Sequence, residues 1–264
     1  MKRSITISLF LFTSLISFCQ DHKIDSLFKK FQRASFYEHV LPSKLRLEDQ
    51  QKKIIPTLIK LLDDTGFVKL ENTADLIYPG ATQFYGHGHY VPYDMDWISV
   101  RAGWLLEELS FQDFGYKTSG VDDAYLFKLM KEKYSEYLKK GTYELEWKQK
   151  STKEKLIAFR KILAKKAKDW WQANENTWTR IAAIKEALQS NDEHRLGEVL
   201  QFLRYGETKC DSLNTALYLK EIKPLVVALK NTTYKSVKEQ VDLLLNEDLG
   251  YWTNKMKELE KKGW

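Results

Sequence analysis

The stretch WISVRAGWLLEELSFQDFGY, residues 97–116, decides the reading of the fold. Ile98, Ala102, Leu105, Leu106 and Leu109 recur at helical spacing and form one apolar stripe. Arg101, Glu107 and Glu108 fall off that stripe, and Arg101 is expected to pair with Glu108 or Asp113. The helix is expected to end in QDFGY, where Gly115 can take the left-handed conformation that closes a helix. Ahead of it lies YPGATQFYGHGHYVPYDMD, residues 78–96, the least helix-like segment of the chain.

Outward from this helix the pattern stays helical. Ile24, Leu27, Phe28 and Phe31 mark an amphipathic helix expected to stop near Pro42. Ile55, Leu58, Ile59 and Leu62 mark a second, followed by a turn at Asp63–Gly66. Residues 67–96 lack that period and are broken by Pro79, Gly80, Gly86, Gly88 and Pro92, so they read as one long irregular loop with a short hairpin through Phe84–Val91. Further helices are expected over residues 122–140, from a capping box at Ser151 and Glu154, and through TWTRIAAIKEALQS, DEHRLGEVLQFLRYG, LNTALYLKEIKPLVVALKNTTY and SVKEQVDLLLNEDLGYW. Scarce Gly and Pro beside abundant Leu, Lys and Glu favour an all-α chain over a sandwich or barrel.

One internal echo organises these helices. IIPTLIKLLDDTGF near residue 55 resembles IKPLVVALKNTTY near residue 222, and QDFGY is matched by EDLGY. Leu106 aligns with Val241 and Leu109 with Leu244. A helix pair written twice is the mark of stacked antiparallel pairs, because one amphipathic pair cannot bury its own face. The first copy carries the loop 67–96 as an insertion.

The runs I-P-x-L-I-x-L-L-D-D and R-A-G-W-x-L-E-E-L, with the stop Q-D-F-G, resemble HEAT-like repeats of the phycobilisome-lyase class. In that class a helix A-x-x-x-L-E-x-L precedes T-G-x-D-F-G, and AKDWWQANENTW is similar to the Trp-rich helix that follows the stop in bacterial envelope proteins of this kind. Phe111 stands where that pattern has Gly. The likeness spans residues 54–65, 98–116 and 222–251. It implies a HEAT-like α-α superhelix that binds something, and it implies no catalytic residue.

Residues 1–19 read as a secretory signal peptide, with Lys2 and Arg3 ahead of the apolar run ITISLFLFTSLISF. Cleavage before Gln20 leaves a single domain, 20–264, expected in the periplasm or outside the cell; the alternative is a lipoprotein anchored through Cys19. Cys210 is then the single cysteine left, so no internal disulfide is expected. Losing Lys2 and Arg3 takes the formal charge from +6 to +4, and the remaining Lys residues alternate with Glu along helices, which argues against a nucleic-acid groove. No segment of the mature chain is long and apolar enough to span a bilayer.

The candidate chemistry sits on the loop. His87 and His89, two residues apart in an extended run, face the same way and with Asp94 or Asp96 form a possible zinc-type ligand set. Phe67, Tyr78, Phe84, Tyr85, Tyr90, Tyr93 and Trp97 crowd the same region, and such rings suit a face that binds protein or glycan. Tyr85, His87, His89, Tyr90, Tyr93, Trp97 and Arg101 are therefore the expected binding residues. Glu107 and Glu108 point about 100° apart on a helix and make no acid/base pair, Ser110 lacks a G-x-S-x-G context, and no Gly-rich loop matches a phosphate cradle. The expected function is an exported, non-enzymatic binding or scaffold protein that contacts a protein partner, of which an immunity-type protein is one version. A metal-dependent hydrolase built on His87 and His89 is the alternative. No resident cofactor is expected under the first reading.

Overall fold

A computed structural model describes residues 22–73, 76–78, 89–91, 93–117, 150–205 and 213–246. The segment read as a signal peptide, with Cys19, the residues Phe84, Tyr85, His87 and Cys210, the helix expected over 122–140 and the EDLGY ending lie outside them. The described chain is mostly helical, with a single two-stranded pairing.

Helix α1 covers residues 22–31 and buries Leu27, Phe28 and Phe31. It stops well before Pro42. The backbone at 34–36 turns aside to pair with Glu71: Phe36 N–H donates to the Glu71 carbonyl at 2.9 Å, and Glu71 N–H donates to the Ala34 carbonyl at 2.9 Å. A π-helical turn, Phe36–Val40, then leads into α2, Leu41–Glu48. Pro42 therefore opens a helix where the sequence reading has it close one. In the first turn its missing N–H costs nothing, since that group has no intrahelical acceptor. Pro56 repeats the device at the start of α3, Ile55–Leu61.

Between α3 and α4 the described residues are irregular apart from one short strand pairing. The turn is set by Asp64, whose carboxylate accepts from Gly66 N–H at 2.6 Å. Strand β1, Leu76–Ile77, pairs in parallel with β2, His89–Tyr90; the turn of the hairpin expected through Phe84–Val91 lies outside the described residues. Helix α4, Ile98–Ser110, follows the predicted stripe, and Ala102, Leu105, Leu106 and Leu109 are fully enclosed. Its end differs from expectation. Phe111, not Gly115, takes the left-handed cap (φ 54°, ψ 26°), donating its N–H to the Glu107 carbonyl at 2.8 Å. Gly115 has positive φ four residues later, in the turn that follows.

Helix α5, Lys150–Asn174, is already formed at Lys150, ahead of the expected cap at Ser151. It is followed by α6, Arg180–Leu188, capped by Thr179, whose hydroxyl accepts from Ala182 N–H at 3.1 Å. Next come α7, Glu193–Tyr205, then α8, Lys223–Ala228, and α9, Lys235–Leu245. Trp170, Trp171 and Trp178 pack together, with ring centres 5.9 and 6.5 Å apart in sequence order. Helix lies on helix in the order α3, α4, α6, α7, α9. Within the two echoed units Leu106, Leu109, Val241 and Leu244 are all buried and Pro224 opens α8 as Pro56 opens α3. The units differ in packing: α3 lies along α4, whereas α9 lies chiefly on α7 rather than on α8.

Candidate functional site

The loop's aspartates are anchors. Asp96 is fully enclosed. One of its oxygens accepts from Leu70 N–H at 2.8 Å and the Tyr78 hydroxyl at 2.7 Å, and the other from the Lys69 ammonium at 2.9 Å. Both oxygens are thus committed to the protein, and a metal at Asp96 would have to displace Lys69. Asp94 accepts from Asp96 N–H at 2.9 Å and is buried. Burial pushes its carboxyl up to about 6, with Arg160 pulling the other way. Among the described residues no three His, Cys, Asp or Glu side chains come together as a metal-holding group. The backbone of His89 is placed in β2, and His87 lies outside the described residues.

Three of the loop's described rings also turn inward. Tyr78, Tyr93 and Trp97 are buried, and Trp97 sits edge-on to Phe67 at 5.3 Å with the Arg160 guanidinium over its ring at 4.4 Å. Trp97 is therefore a core residue and not the exposed binding ring expected of it. Tyr90 is placed by its backbone in β2.

Arg101 has a role that its place in the sequence does not announce. Its guanidinium donates to four main-chain carbonyls: Met95 at 2.5 Å, Arg33 at 2.7 Å, Phe31 at 3.2 Å and Val68 at 2.7 Å. It is 0% exposed and ties the end of α1, the segment after the Asp64 turn and the entry to α4 into one unit. This corrects both the expected pairing with Glu108 or Asp113 and the expected use of Arg101 as a binding residue: four of its five N–H donors go to backbone and none of the side chain is exposed.

Glu107 is the second internal clamp. Its carboxylate accepts from the N–H groups of Phe114, Gly115 and Tyr116 at 2.8, 2.8 and 2.9 Å, and of Lys117 at 2.8 Å. Four successive backbone donors make an anion nest filled by the protein's own side chain. Burial, with Asp113 nearby, pushes this carboxyl up to about 8 against the pull of those donors.

What the structure does bring together is a cleft of about 540 Å³ between α2, the end of the loop, α4, α6 and α7. Tyr93, Trp104, Phe111 and Phe202 supply aromatic walls, and Leu76, Val91 and Met95 supply an apolar wall from the loop. Tyr37 and Tyr205 are the most exposed of its rings, at 39% and 44%. Of the expected binding residues whose side chains are described, Tyr93, Trp97 and Arg101, Tyr93 lines it, its ring 5.6 Å from that of Trp104.

Six charged side chains line the same space in three pairings. Lys44 forms an ion pair with Glu108, lies 3.6 Å from Glu48, and sits over the Trp104 ring at 4.6 Å. Arg180 lies 3.5 Å from Glu48, donates to the Glu108 carbonyl at 2.6 Å, and stacks on Phe111 and Phe202 at 4.6 and 4.4 Å. Lys117 pairs with Glu198. Trp104 Nε1–H donates to the Glu108 carboxylate at 2.7 Å. Burial alone would raise Glu108, but Lys44 and Lys117 outweigh it and hold the carboxyl below its usual range. Lys117, which burial would lower, is held above its usual range by Glu108 and Glu198.

None of Lys44, Glu48, Lys117, Arg180, Glu198 or Phe202 is singled out by the sequence. The available signal is weak: Lys44 and Glu48 stand four apart, as solvated helix pairs do, yet both are buried. The cleft has the size of a ligand pocket, with apolar walls and a few fixed polar groups. No family model, no curated protein and no solved structure matches the chain, so the geometry of this cleft carries the functional argument.

Proposed function

We propose that the protein is an exported, non-enzymatic binding protein and that its site is the cleft bounded by α2, α4, α6 and α7. The observation that supports this is the cleft itself: about 540 Å³ lined by rings and by ionised groups already held by partners. Groups so held are set for recognition. Each is locked in a pair, and a catalytic acid or base needs one free to exchange a proton. The partner is a larger molecule that inserts a protruding group into the cleft past Tyr37 and Tyr205, the most exposed rings of its lining. A HEAT-like stack, which the echoed helices suggest, provides the rigid walls such a site needs.

Gln201 gives the test. It lines the cleft from an exposed position on α7, outside the ion pairs described. Gln201→Trp should fill the cleft and leave thermal stability unchanged. Wild type and Gln201→Trp are compared for capture of components from an envelope extract, with Lys165→Ala on α5 as control. Loss of the captured component in Gln201→Trp alone supports the reading; equal capture by all three overturns it.

A further inference from the structure

Resting on that reading of the cleft, we infer that the group it receives is a neutral sugar, the end of a glycan. The argument begins with charge. Lys44, Lys117 and Arg180 face Glu48, Glu108 and Glu198, so the lining carries three charges of each sign. A charged ligand entering this space would leave one charge unbalanced away from water, which is costly. A hydrocarbon ligand would cover six ionised groups and give them nothing in return. The occupant must be neutral overall and still offer both donors and acceptors at many points.

A sugar hydroxyl meets that condition at each position, because it donates one proton and accepts two. It can donate to Glu108 or Glu198 and accept from Lys44 or Lys117 without disturbing the balance. The rings supply the other half. Tyr93, Trp104, Phe111 and Phe202 line the cleft, with the Tyr93 and Trp104 ring centres 5.6 Å apart and their planes tilted by 37°, and aromatic walls of this kind suit the C–H face of a pyranose. At about 540 Å³ the cleft is of a size for a mono- or disaccharide and too small for a folded partner's surface.

The experiment uses the protein without its signal peptide in isothermal titration calorimetry against small defined probes. These are neutral hexose and N-acetylhexosamine mono- and disaccharides, the uronic acid and free amine counterparts of the same size, and neutral blocked dipeptides. The expected result is binding of at least one neutral sugar tighter than about 1 mM. It should weaken about tenfold or more in Gln201→Trp and in Tyr93→Ala, and about tenfold or more when the same sugar carries a charge. Charged sugars that bind as well as neutral ones overturn the neutrality argument. Dipeptides that bind in a Gln201-sensitive way while no sugar does overturn the sugar and leave the cleft as a binding site. If no probe binds, the sugar falls; if Gln201→Trp also still captures the extract component, the cleft falls with it.

Discussion

The ring of Tyr116 lies directly on the backbone of Gly103: a β-carbon at position 103 would stand 2.1 Å from Tyr116 Cγ. Tyr116 is itself buried and leads into the turn that wraps Glu107, so it has little room to withdraw. Gly103→Ala should therefore destabilise, although alanine favours a helix by about 1 kcal/mol over glycine. Overpacking costs about 1–3 kcal/mol and wins here, so the net loss is one of a few degrees in Tm. Pairing the change with Tyr116→Ala should remove the clash and make position 103 nearly neutral in that background. A Gly103→Ala protein that melts above wild type would show that the ring moves freely.

Arg101 should be among the least replaceable residues of the chain. Arg101→Lys keeps the charge but cannot reach carbonyls on three segments at once, since the ammonium lacks the planar fork. Arg101→Met leaves buried carbonyls without a donor. Hydrogen bonds to charged groups contribute about 1.5–3 kcal/mol each, so either change should cost about 3 kcal/mol or more by urea denaturation. Hydrogen exchange adds a local reading: protection around Phe31–Arg33 and Val68 should fall together. Loss confined to α4 would argue against the clamp.

Stability should fall as pH rises through the weakly acidic range. Asp94 titrates at about 6 in the folded protein against 3.8 for the free side chain, because burial disfavours its charge. A carboxyl with a raised folded pKa contributes favourably below the unfolded value, and that contribution is lost as pH climbs through the folded one. Over pH 4 to 6 the Asp94 share is about 3 kcal/mol. Glu107, raised from 4.5 to about 8, acts with the same sign from about pH 4.5 to 8 and so adds to the decline in this window and carries it further. Asp94→Asn keeps an oxygen for Asp96 N–H and should make the decline between pH 4 and 6 shallower, leaving the part that Glu107 carries. A slope as steep as that of wild type in this window would remove Asp94 as its source.

The helices were readable because burial writes a period into the chain: the stripe of α4 and the pair Val241 and Leu244 are both where that period puts them. The helix boundaries were less so. Pro42 is compatible with ending a helix or with opening one, and the choice is made by Glu71, whose backbone captures residues 34–36. Phe111 closes α4 in a conformation that favours glycine because its ring is wanted elsewhere, against Phe202 at 5.4 Å and beneath Arg180. The clamp made by Arg101 left no trace, since its acceptors are carbonyls, which every residue has. The cleft was hidden for a related reason. Lys44, Glu108, Arg180 and Glu198 come from four helices, and each alone reads as a solvated charge.

Lys44 is the hinge of the cleft's charge balance, and a double-mutant cycle with Glu108 should show it. Lys44→Met removes the cation that faces Glu108 and Glu48 and that covers the Trp104 ring. Glu108 then keeps the Trp104 N–H but loses its nearest counter-charge in a buried setting. Breaking one side of a buried pair costs about 3–5 kcal/mol, whereas replacing both sides with uncharged groups of similar shape is often close to neutral. Glu108→Gln alone strands Lys44 less severely, because Glu48 remains 3.6 Å away. The double variant should therefore be more stable than Lys44→Met alone, with a coupling energy of about 1–3 kcal/mol. Additive losses would mean that the pair is held apart by solvent, and the neutral, ion-paired cleft would lose its physical basis.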